Sequence, residues 1–312
     1  MDIKILSIQS HVVSGTVGNK AAIFPLQLLG FDVDFINTVH FSNHTGYSVI
    51  KGTVMTGDQL KDIAYGLNEN NLLTHDYVLT GYIGSQTFLD SVLELLLLIK
   101  NNNNNMKYIC DPVLGDDGKC YVPKELIPIF AEKIVSKAYM ITPNQFEAEL
   151  LTNKIIKNHN DVLNILIDLH KLGPKIVVLT SAIIDDISID KLACYISYND
   201  NGKNIIIIKQ YIIKKLSGHY TGTGDTTASL ILGWINILGE HNFGEAFKKV
   251  LCTMNGIIKN TQINQEKLMK SNTNYNIHQA AELCVIKSKN IIENPPILDC
   301  DEIEEHEYFI NL

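Results

Sequence analysis

Short apolar runs alternate along the chain with longer stretches in which apolar residues recur at helical spacing. This alternation is typical of βαβ units, in which helices connect the strands of a mostly parallel sheet. The runs predict strands at residues 3–8, 31–36, 77–80, 107–111, 138–141 and 176–180, with a short strand within 48–55. The helical stretches predict helices ending at 29 and spanning 57–67, 85–100, 144–151, 160–172, 224–238, 243–262 and 276–289. The predicted fold class is therefore α/β, with a mostly parallel central sheet flanked by helices.

Three segments depart from this alternation. Apolar runs at 192–198 and 205–213, joined by a short polar turn, predict an antiparallel hairpin at one edge of the sheet. The asparagine run 101–105 lies between a helix and a strand, and we expect a solvated loop. The acidic tail 291–312 is expected to form a solvated edge or a strap across the surface. Because no repeat or linker divides the chain, we expect a single domain over 1–312 with a small flap at about 39–55.

Composition and charge exclude several classes of function. The chain has 312 residues, of which 34 are acidic and 26 basic, and its net charge of −8 argues against nonspecific nucleic-acid binding. Its apolar stretches are far shorter than the roughly 20 residues of a membrane span, and its N-terminus leaves no room for a signal peptide. The six cysteines show neither a CxxC pair nor metal-site spacing, which favours buried or idle thiols in a reducing compartment. We therefore expect a cytoplasmic protein that binds neither nucleic acid nor membranes.

All 26 basic residues are lysines, and arginine is absent. Nucleotide bias in the coding genome accounts for this, because Asn, Lys and Ile codons are rich in A and T. The chemical consequence is that an anionic substrate must be held by Lys, backbone N–H groups, helix N-termini or a metal. An arginine finger in cis is excluded, and the chain has neither a P-loop nor a His-Arg-Asp catalytic loop.

The segment Thr221-Gly222-Thr223-Gly224-Asp225 is the strongest candidate for chemistry. Its glycines let the backbone approach a ligand closely, and the helix that follows directs N–H groups and the positive end of its dipole towards an anion. Asp225 places a proton acceptor at the same point, which is what phosphoryl transfer to an alcohol needs. The tetrapeptide alone is equally typical of a loop with an Asp N-cap. Its position at a helix N-terminus predicts a lowered pKa for Asp225.

Two more acidic groups follow predicted strands. Asp111 ends one predicted strand and Asp116 follows it, and Thr142, Asn144 and Glu147 come after the next strand. Ligands of open parallel sheets bind at the carboxyl ends of strands, where these residues can organise hydrated Mg²⁺ or a phosphate chain. Each group alone also fits a turn or a helix cap. Three such groups in one α/β chain favour a shared Mg-nucleotide site over three unrelated caps.

Ordered segments over residues 3–290 carry a resemblance that is more specific than the Gly-Thr-Gly-Asp element. They are residues 6–12, 18–27, 41–47 (Phe-Ser-Asn-His-Thr-Gly-Tyr), 76–82, 111–116 and 141–151. In these segments the chain resembles the pyridoxal kinase family of the ribokinase-like superfamily. The resemblance implies a ribokinase-like three-layer fold and ATP-dependent phosphorylation of the 5′-hydroxyl of pyridoxal, pyridoxine and pyridoxamine, which converts pyridoxal to pyridoxal 5′-phosphate.

The resemblance also implies roles for individual residues. Asp225 matches the catalytic base, and the backbone of Gly222, Thr223 and Gly224 matches the anion hole. Substrate contacts match Ser10, Val39, Thr45 and Tyr82. Nucleotide contacts match Asn144, Thr180, Ser181, Lys214, Lys215 and Thr223, although the two lysines are as typical of a solvated surface. The metal region matches Asp111, Asp116, Thr142 and Glu147, where the family uses Mg²⁺ and a monovalent cation, K⁺ or Na⁺.

The implied partners are pyridoxal, ATP and a second copy of the chain in a homodimer, with contacts in the flap. Some residues depart from the family pattern: the loop 117–120 is short, Ser14 stands where relatives can have Arg, and Thr226-Thr227 replaces a common Leu-Phe. These departures affect kinetics and substrate preference, and they leave the reaction class unchanged.

Two other functions remain open. A hydroxymethylpyrimidine or sugar kinase of the same superfamily would share residues 222–225 but should lack the segment 43–47, which this chain has. A non-catalytic pyridoxal phosphate-binding protein would tolerate the loss of Asp225, which is present.

Overall fold

The computed structural model describes residues 3–271, 276–298 and 302–311, so Cys300 and part of the acidic tail lie outside the described residues. No helix in these three ranges is sufficiently long and apolar to traverse a membrane. The strands are β1 (Lys4–Val12), β2 (Asp32–Phe41), β3 (Gly52–Val54), β4 (Tyr77–Thr80), β5 (Lys107–Cys110), β6 (Gly115–Asp116), β7 (Lys119–Cys120), β8 (Met140–Ile141), β9 (Ile176–Ala182), β10 (Lys191–Asp200), β11 (Ile205–Lys214) and β12 (Ile303–Asn311). The helices are α1 (Asn19–Leu28), α2 (Gly57–Glu69), α3 (Gln86–Asn102), α4 (Leu126–Lys133), α5 (Gln145–Thr152), α6 (His159–Leu172), α7 (Thr223–Leu238), α8 (Phe243–Ser271), α9 (Ile277–Ala281) and α10 (Lys289–Glu293).

The described chain groups into two compact units, each built from separate stretches of sequence. The larger unit contains residues 3–6, 55–215 and 302–311. The smaller unit contains residues 7–54, 216–271 and 276–298. The single domain expected over 1–312 stays a prediction.

The larger unit has a parallel centre in which β4, β5, β8 and β9 are neighbours. These strands are short apolar runs, and residues such as Val78, Ile109 and Val177 are almost completely buried. Continuous burial of this kind is expected for parallel strands that are covered on both faces. The strands end at Thr80, Cys110, Ile141 and Ala182, where the polar groups singled out in the sequence begin. The predicted α/β fold with a mostly parallel sheet flanked by helices is confirmed.

An antiparallel arrangement completes this unit. The predicted hairpin is confirmed, because β10 pairs with β11 in a register that sets Lys191 opposite Lys214. The hairpin is not at the edge of the sheet, however, since β12 pairs with the outer side of β11. The acidic tail thus contributes an edge strand, in which Lys209 Nζ lies 3.1 Å from Glu307 Oε1 and 3.4 Å from Glu305 Oε1. Of the two alternatives expected for the tail, a solvated edge or a strap across the surface, residues 303–311 form an edge, and Lys209 pairs with part of its negative charge.

The smaller unit consists of β1 from residue 7 onwards, β2, the short flap strand β3, and the helices α1, α7, α8, α9 and α10. The flap strand pairs antiparallel with β2, so that Val54 lies opposite Val39. Helix α7 packs against both α1 and α8, and ten consecutive residues of α7, 226–235, are buried. The first turn of α7 lies directly before this buried stretch, and it carries Asp225.

Two predicted elements differ in the structure. The helix expected over 276–289 is interrupted, because Glu282 forms a parallel bridge with Thr221 between α9 and α10. The expected asparagine loop is shorter than 101–105, since α3 extends to Asn102 and the Asn103 side chain donates to the His75 carbonyl oxygen at 3.2 Å. Both differences arise from contacts between residues that are distant in sequence.

Candidate active site

A buried asparagine fixes the beginning of α1 in the smaller unit. Asn19 Nδ2 donates to the Ile36 carbonyl oxygen at 2.9 Å and to Asn37 Oδ1 at 2.8 Å, while Ser7 Oγ donates to Asn19 Oδ1 at 2.8 Å. Asn19 is 0% exposed, so these hydrogen bonds satisfy a polar group that water does not reach. They attach the first turn of α1 to β1 and β2, and thereby fix the position of Gly18 just before the helix.

Gly18 brings the end of β1 close to Asp225. Its N–H donates to Asp225 Oδ2 at 2.8 Å, and its φ of 55° is one that side-chain-bearing residues rarely adopt. A Cβ atom at this position would lie 2.1 Å from the carbonyl oxygen of Ser10. Only glycine therefore permits this close approach to the Ser10 backbone at the residue whose N–H binds Asp225.

The segment before Asp225 forms the start of α7. The helix begins at Thr223, and Gly222 occupies the N-cap position with φ 93° and no side-chain cap. A Cβ at Gly222 would lie 2.4 Å from the Thr16 carbonyl oxygen, so glycine is required here also. The N–H groups of Thr223 and Gly224 belong to the first turn of the helix and have no acceptor within it. The arrangement can bind an anion beside the Asp225 carboxylate.

The pKa of Asp225 differs in direction from the prediction. The helix N-terminus led us to expect a lowered pKa, but desolvation of the carboxylate raises it, and the Gly18 N–H opposes this only in part. The residue as a whole is partly exposed, while its carboxylate is deep enough for desolvation to dominate. A raised pKa makes Asp225 a better proton acceptor for an alcohol than a carboxylate in water.

The loop 42–47 follows β2 in the same unit. It carries Thr45, which is exposed, between the partly buried residues His44 and Tyr47. The Tyr47 hydroxyl lies 3.4 Å from Glu282 Oε1. Val39 is 7% exposed in β2, at the flap. Ser10, Val39, Thr45 and residues 222–225 thus all belong to the smaller unit, whereas Tyr82 belongs to the larger one.

In the larger unit, the residues that directly follow β5 and β8 are in contact. Thr142 Oγ1 donates to Asp111 Oδ1 at 3.1 Å, and the two residues are 2% and 5% exposed. Asp116 is exposed in the two-residue strand β6. The partly buried Tyr82 follows β4, and its hydroxyl lies 3.4 Å from the Tyr121 carbonyl oxygen.

Glu147 fastens the loop after Asp111 to the start of α5. Its Oε1 accepts from the N–H of Leu114 at 2.9 Å and of Gly115 at 3.5 Å, and its Oε2 accepts from Asn144 N–H at 2.9 Å. Burial raises the pKa of Glu147 to about 7, against the effect of these three donors. Glu147 therefore connects this loop with the start of α5, and it is also a predicted member of the metal region.

The four predicted metal-region residues all belong to the larger unit. In the described part of the chain, no group of three or more His, Cys, Asp or Glu side chains is arranged to hold a metal ion. Mg²⁺ that is bound through phosphates and water needs only one or two carboxylates, which Asp111 and Asp116 can supply. The donor set fits a Mg²⁺ ion that arrives with a phosphate-bearing ligand, and the metal role of these residues stays a prediction.

The predicted nucleotide contacts in the larger unit lie at strand ends. Asn144 caps α5: its Oδ1 accepts from Glu147 N–H at 2.8 Å, and its Nδ2 donates to the Gly115 carbonyl oxygen at 2.9 Å. Thr180 and Ser181 lie near the end of β9, where Thr180 N–H donates to the Pro143 carbonyl oxygen at 3.0 Å. Lys214 and Lys215 are exposed at and after the end of β11. Their contacts with a nucleotide stay predictions.

Two residues with clear structural roles escaped the sequence prediction. Gly18 was part of the matched segment 18–27, but nothing in the sequence linked its N–H to a carboxylate 207 positions away. Glu282 lay inside a predicted helix, and its contacts depend on the break in that helix.

Comparison with known proteins places the chain in a family. Residues 44–287 match the sequence model of the phosphomethylpyrimidine kinase family. The chain is 43% identical to the pyridoxal kinase of Arabidopsis thaliana, over 94% of this chain and 92% of that protein. It is 39% identical to the human pyridoxal kinase, over 95% and 96% of the two chains. The solved structure of Leishmania donovani pyridoxal kinase with ADP and pyridoxamine is similar with a TM-score of 0.87 and 32% identity, covering 98% of this chain and 100% of that one. The chain belongs to the phosphomethylpyrimidine kinase family and, within it, to the pyridoxal kinases.

Proposed function

We propose that the chain transfers the γ-phosphoryl group of ATP to the 5′-hydroxyl of pyridoxal, and also of pyridoxine and pyridoxamine. The observation that carries the proposal is the Asp225 carboxylate, which has a raised pKa and lies in the first turn of α7 beside N–H groups suited to an anion. The relative from Leishmania donovani, solved with ADP and pyridoxamine, supports this choice of nucleotide and acceptor.

The proposed reaction divides its work between Asp225 and the backbone. Asp225 orients the 5′-hydroxyl and takes its proton as the oxygen forms a bond to the γ-phosphorus. The bond between that phosphorus and the bridging oxygen of ATP breaks, and ADP leaves. The N–H groups of Gly222, Thr223 and Gly224 stabilise the charge on the transferring group, which lysine and backbone dipoles must do in a chain without arginine.

The remaining assignments are parts of the same proposal. Contacts with the pyridine ring are assigned to Ser10, Val39, Thr45 and Tyr82. Nucleotide contacts are assigned to Asn144, Thr180, Ser181, Lys214, Lys215 and Thr223. Asp111, Asp116, Thr142 and Glu147 would hold Mg²⁺ bound to the ATP phosphates, together with a K⁺ or Na⁺ ion. We further propose a cytoplasmic homodimer, and the free thiols of Cys110, Cys120, Cys194, Cys252 and Cys284 support a reducing compartment.

A second candidate is phosphorylation of hydroxymethylpyrimidine, which the match of residues 44–287 to the phosphomethylpyrimidine kinase model favours. Measurement of ADP release by the purified chain with pyridoxal, hydroxymethylpyrimidine and ribose in parallel decides between the two functions. Each acceptor is tested with Mg²⁺ and either K⁺ or Na⁺, and after chelation of the divalent ion.

We expect Mg²⁺-dependent turnover with pyridoxal, and formation of pyridoxal 5′-phosphate in equal amount to ADP. Turnover with hydroxymethylpyrimidine or ribose and none with pyridoxal would overturn the assignment. Sedimentation of the same sample tests the homodimer, for which a purely monomeric chain at micromolar concentration is the contrary result.

A further inference from the structure

Four side chains of the smaller unit form a cluster. His44 and Tyr47 belong to the loop 42–47, and His278 and Glu282 come from a later part of the chain. The ring centroids of His44 and Tyr47 are 4.8 Å apart, and those of Tyr47 and His278 are 5.0 Å apart. One carboxylate oxygen, Glu282 Oε1, lies 3.4 Å from the Tyr47 hydroxyl and 3.6 Å from His44 Nε2. Thr45, the predicted ring contact, lies in sequence between the two residues that approach this oxygen.

The backbone of Glu282 is fixed beside the anion-binding segment. Thr221 N–H donates to the Ala281 carbonyl oxygen at 3.0 Å, and Leu283 N–H donates to the Thr221 carbonyl oxygen at 3.4 Å. This bridge places Glu282 opposite the residue that precedes Gly222. Glu282 therefore has its main chain attached to the start of α7 and its side chain directed at the loop 42–47.

The room for the Glu282 carboxylate is provided by Gly15. A Cβ atom at Gly15 would lie 2.7 Å from Glu282 Oε1, well inside van der Waals contact. The carboxylate thus rests on the bare backbone of the loop that follows β1. The segments around residues 15 and 44–47 approach the Glu282 side chain, and the segment around 221 pairs with its main chain.

The hydrogen bonds of His44 determine how it meets Glu282. Gly46 N–H donates to His44 Nδ1 at 3.1 Å, so that nitrogen is an acceptor and the neutral ring carries its proton on Nε2. His44 Nε2 is buried and has no hydrogen-bond partner among the described residues. Burial and the nearby His278 and His219 lower the pKa of His44, which keeps the ring neutral. The Nε2–H is therefore a neutral donor whose nearest carboxylate is Glu282.

We propose that Glu282 is a positioning residue that holds the loop 42–47, through Tyr47 and His44, against the segment in front of Gly222. Both contacts to Oε1 are longer than the usual hydrogen-bond range, so a movement of less than 1 Å would complete them. The inference rests on the proposed function, because it gives Glu282 control of the affinity for the vitamer that Thr45 contacts. Phosphoryl transfer at Asp225 involves no contact with Glu282, and its rate should change little.

The test compares Glu282→Ala, Glu282→Gln, Tyr47→Phe and the double variant Glu282→Ala/Tyr47→Phe with the unmodified chain. Glu266→Ala, at an exposed position of α8, is the matched control for loss of a glutamate from the same unit. Pyridoxine is the probe, because it lacks the aldehyde that reacts with lysine. Its Kd is measured by calorimetry without ATP, and KM for pyridoxine, KM for ATP and kcat are measured by ADP release. Melting temperatures report folding.

We expect Glu282→Ala to raise Kd and KM for pyridoxine about tenfold, the effect of one lost hydrogen bond to a charged group. KM for ATP and kcat should stay within about twofold. In Glu282→Gln the carboxamide oxygen still accepts from Tyr47 and His44, so Kd should return to within about threefold of the unmodified chain. Tyr47→Phe should raise Kd, and the double variant should be no weaker than Glu282→Ala alone.

An unchanged Kd in Glu282→Ala, or effects of Glu282→Ala and Tyr47→Phe that multiply, would overturn the inference. A decrease in kcat without a change in Kd or KM for pyridoxine would also overturn it. If Glu282→Ala does not fold, the Kd values of Glu282→Gln and Tyr47→Phe decide in its place. A chain that binds pyridoxine but releases no ADP would refute the proposed function and leave the calorimetric result on Glu282 standing.

Discussion

His170, in α6 of the larger unit, makes the stability of the chain depend on pH in a defined way. The residue is 4% exposed, its Nδ1–H donates to the Pro174 carbonyl oxygen at 2.9 Å, and its Nε2 lies 2.8 Å from the Ser197 hydroxyl. Both ring nitrogens are thus used by a neutral imidazole. Burial lowers the pKa of His170 from 6.5 to about 4.

The direction of the effect follows from that lowered pKa. Between about pH 6.5 and 4 the unfolded chain takes up a proton at this histidine and the folded chain does not, so stability falls as the pH falls. The full difference amounts to about 3 kcal/mol below pH 4, of which about 2 kcal/mol is already lost at pH 5. Because domains are stable by only about 5–15 kcal/mol, the loss should be measurable.

The experiment compares the unmodified chain with His170→Gln in urea unfolding followed by circular dichroism at pH 7.5 and pH 5. His170→Gln should be less stable at pH 7.5, because it loses the packed ring, and the difference should narrow by about 2 kcal/mol at pH 5. His241→Gln, at an exposed position, is the control and should follow the unmodified chain at both values. An equal difference between the unmodified chain and His170→Gln at the two pH values would refute the reasoning.

Four further substitutions test the site, a helix and the sheet. Asp225→Asn keeps an acceptor for the Gly18 N–H but removes the proposed base, so ADP release with pyridoxal should fall about 10²–10⁴-fold without a lower melting temperature; a smaller fall would contradict a role as base. Gly18→Ala forces a Cβ towards the Ser10 carbonyl oxygen at a φ of 55°, so turnover and melting temperature should both fall. Gly66→Ala, in a helix with open space around it, should instead be stabilising by about 1 kcal/mol. Lys209→Ala removes a partly exposed ion-pair partner of β12 and should cost less than about 1 kcal/mol in urea unfolding, and a larger loss would mean that the edge strand depends on this lysine.

The sequence predicted the elements whose signals are local. Apolar runs located β4, β5 and β9 closely, and helical periodicity together with Gly222 and Gly224 located the start of α7 within one residue. The interruption at Glu282 was not predictable, because the residues around it have helical spacing and the break is made by hydrogen bonds to Thr221. Propensity describes short stretches of chain, and tertiary contacts override it.

The electrostatics of the site were harder to predict than its location. The helix dipole at Asp225 is visible in the sequence, but the desolvation that outweighs it depends on which segments cover the carboxylate. The same holds for Glu147, where the sequence indicated a capping residue but not the Leu114 and Gly115 N–H groups that share its Oε1. The sequence shows which residue types occupy the site. The direction of their pKa shifts depends on burial, which only the folded structure shows.

The hydrogen bond between Gly18 and Asp225 also bears on how the protein is made. Its two residues are 207 positions apart, so a ribosome that adds about 5–20 residues per second completes Gly18 some 10–40 s before Asp225. During that interval the end of β1 and the start of α1 are present without the carboxylate to which the Gly18 N–H will donate. The smaller unit can fold completely only after residues 55–215 of the larger unit have been translated. The edge strand β12 of the larger unit is translated after the smaller unit. A nascent chain arrested near residue 220 would therefore contain most of the larger unit's sequence and no Asp225, so the proposed phosphoryl transfer depends on a part of the chain that is made late.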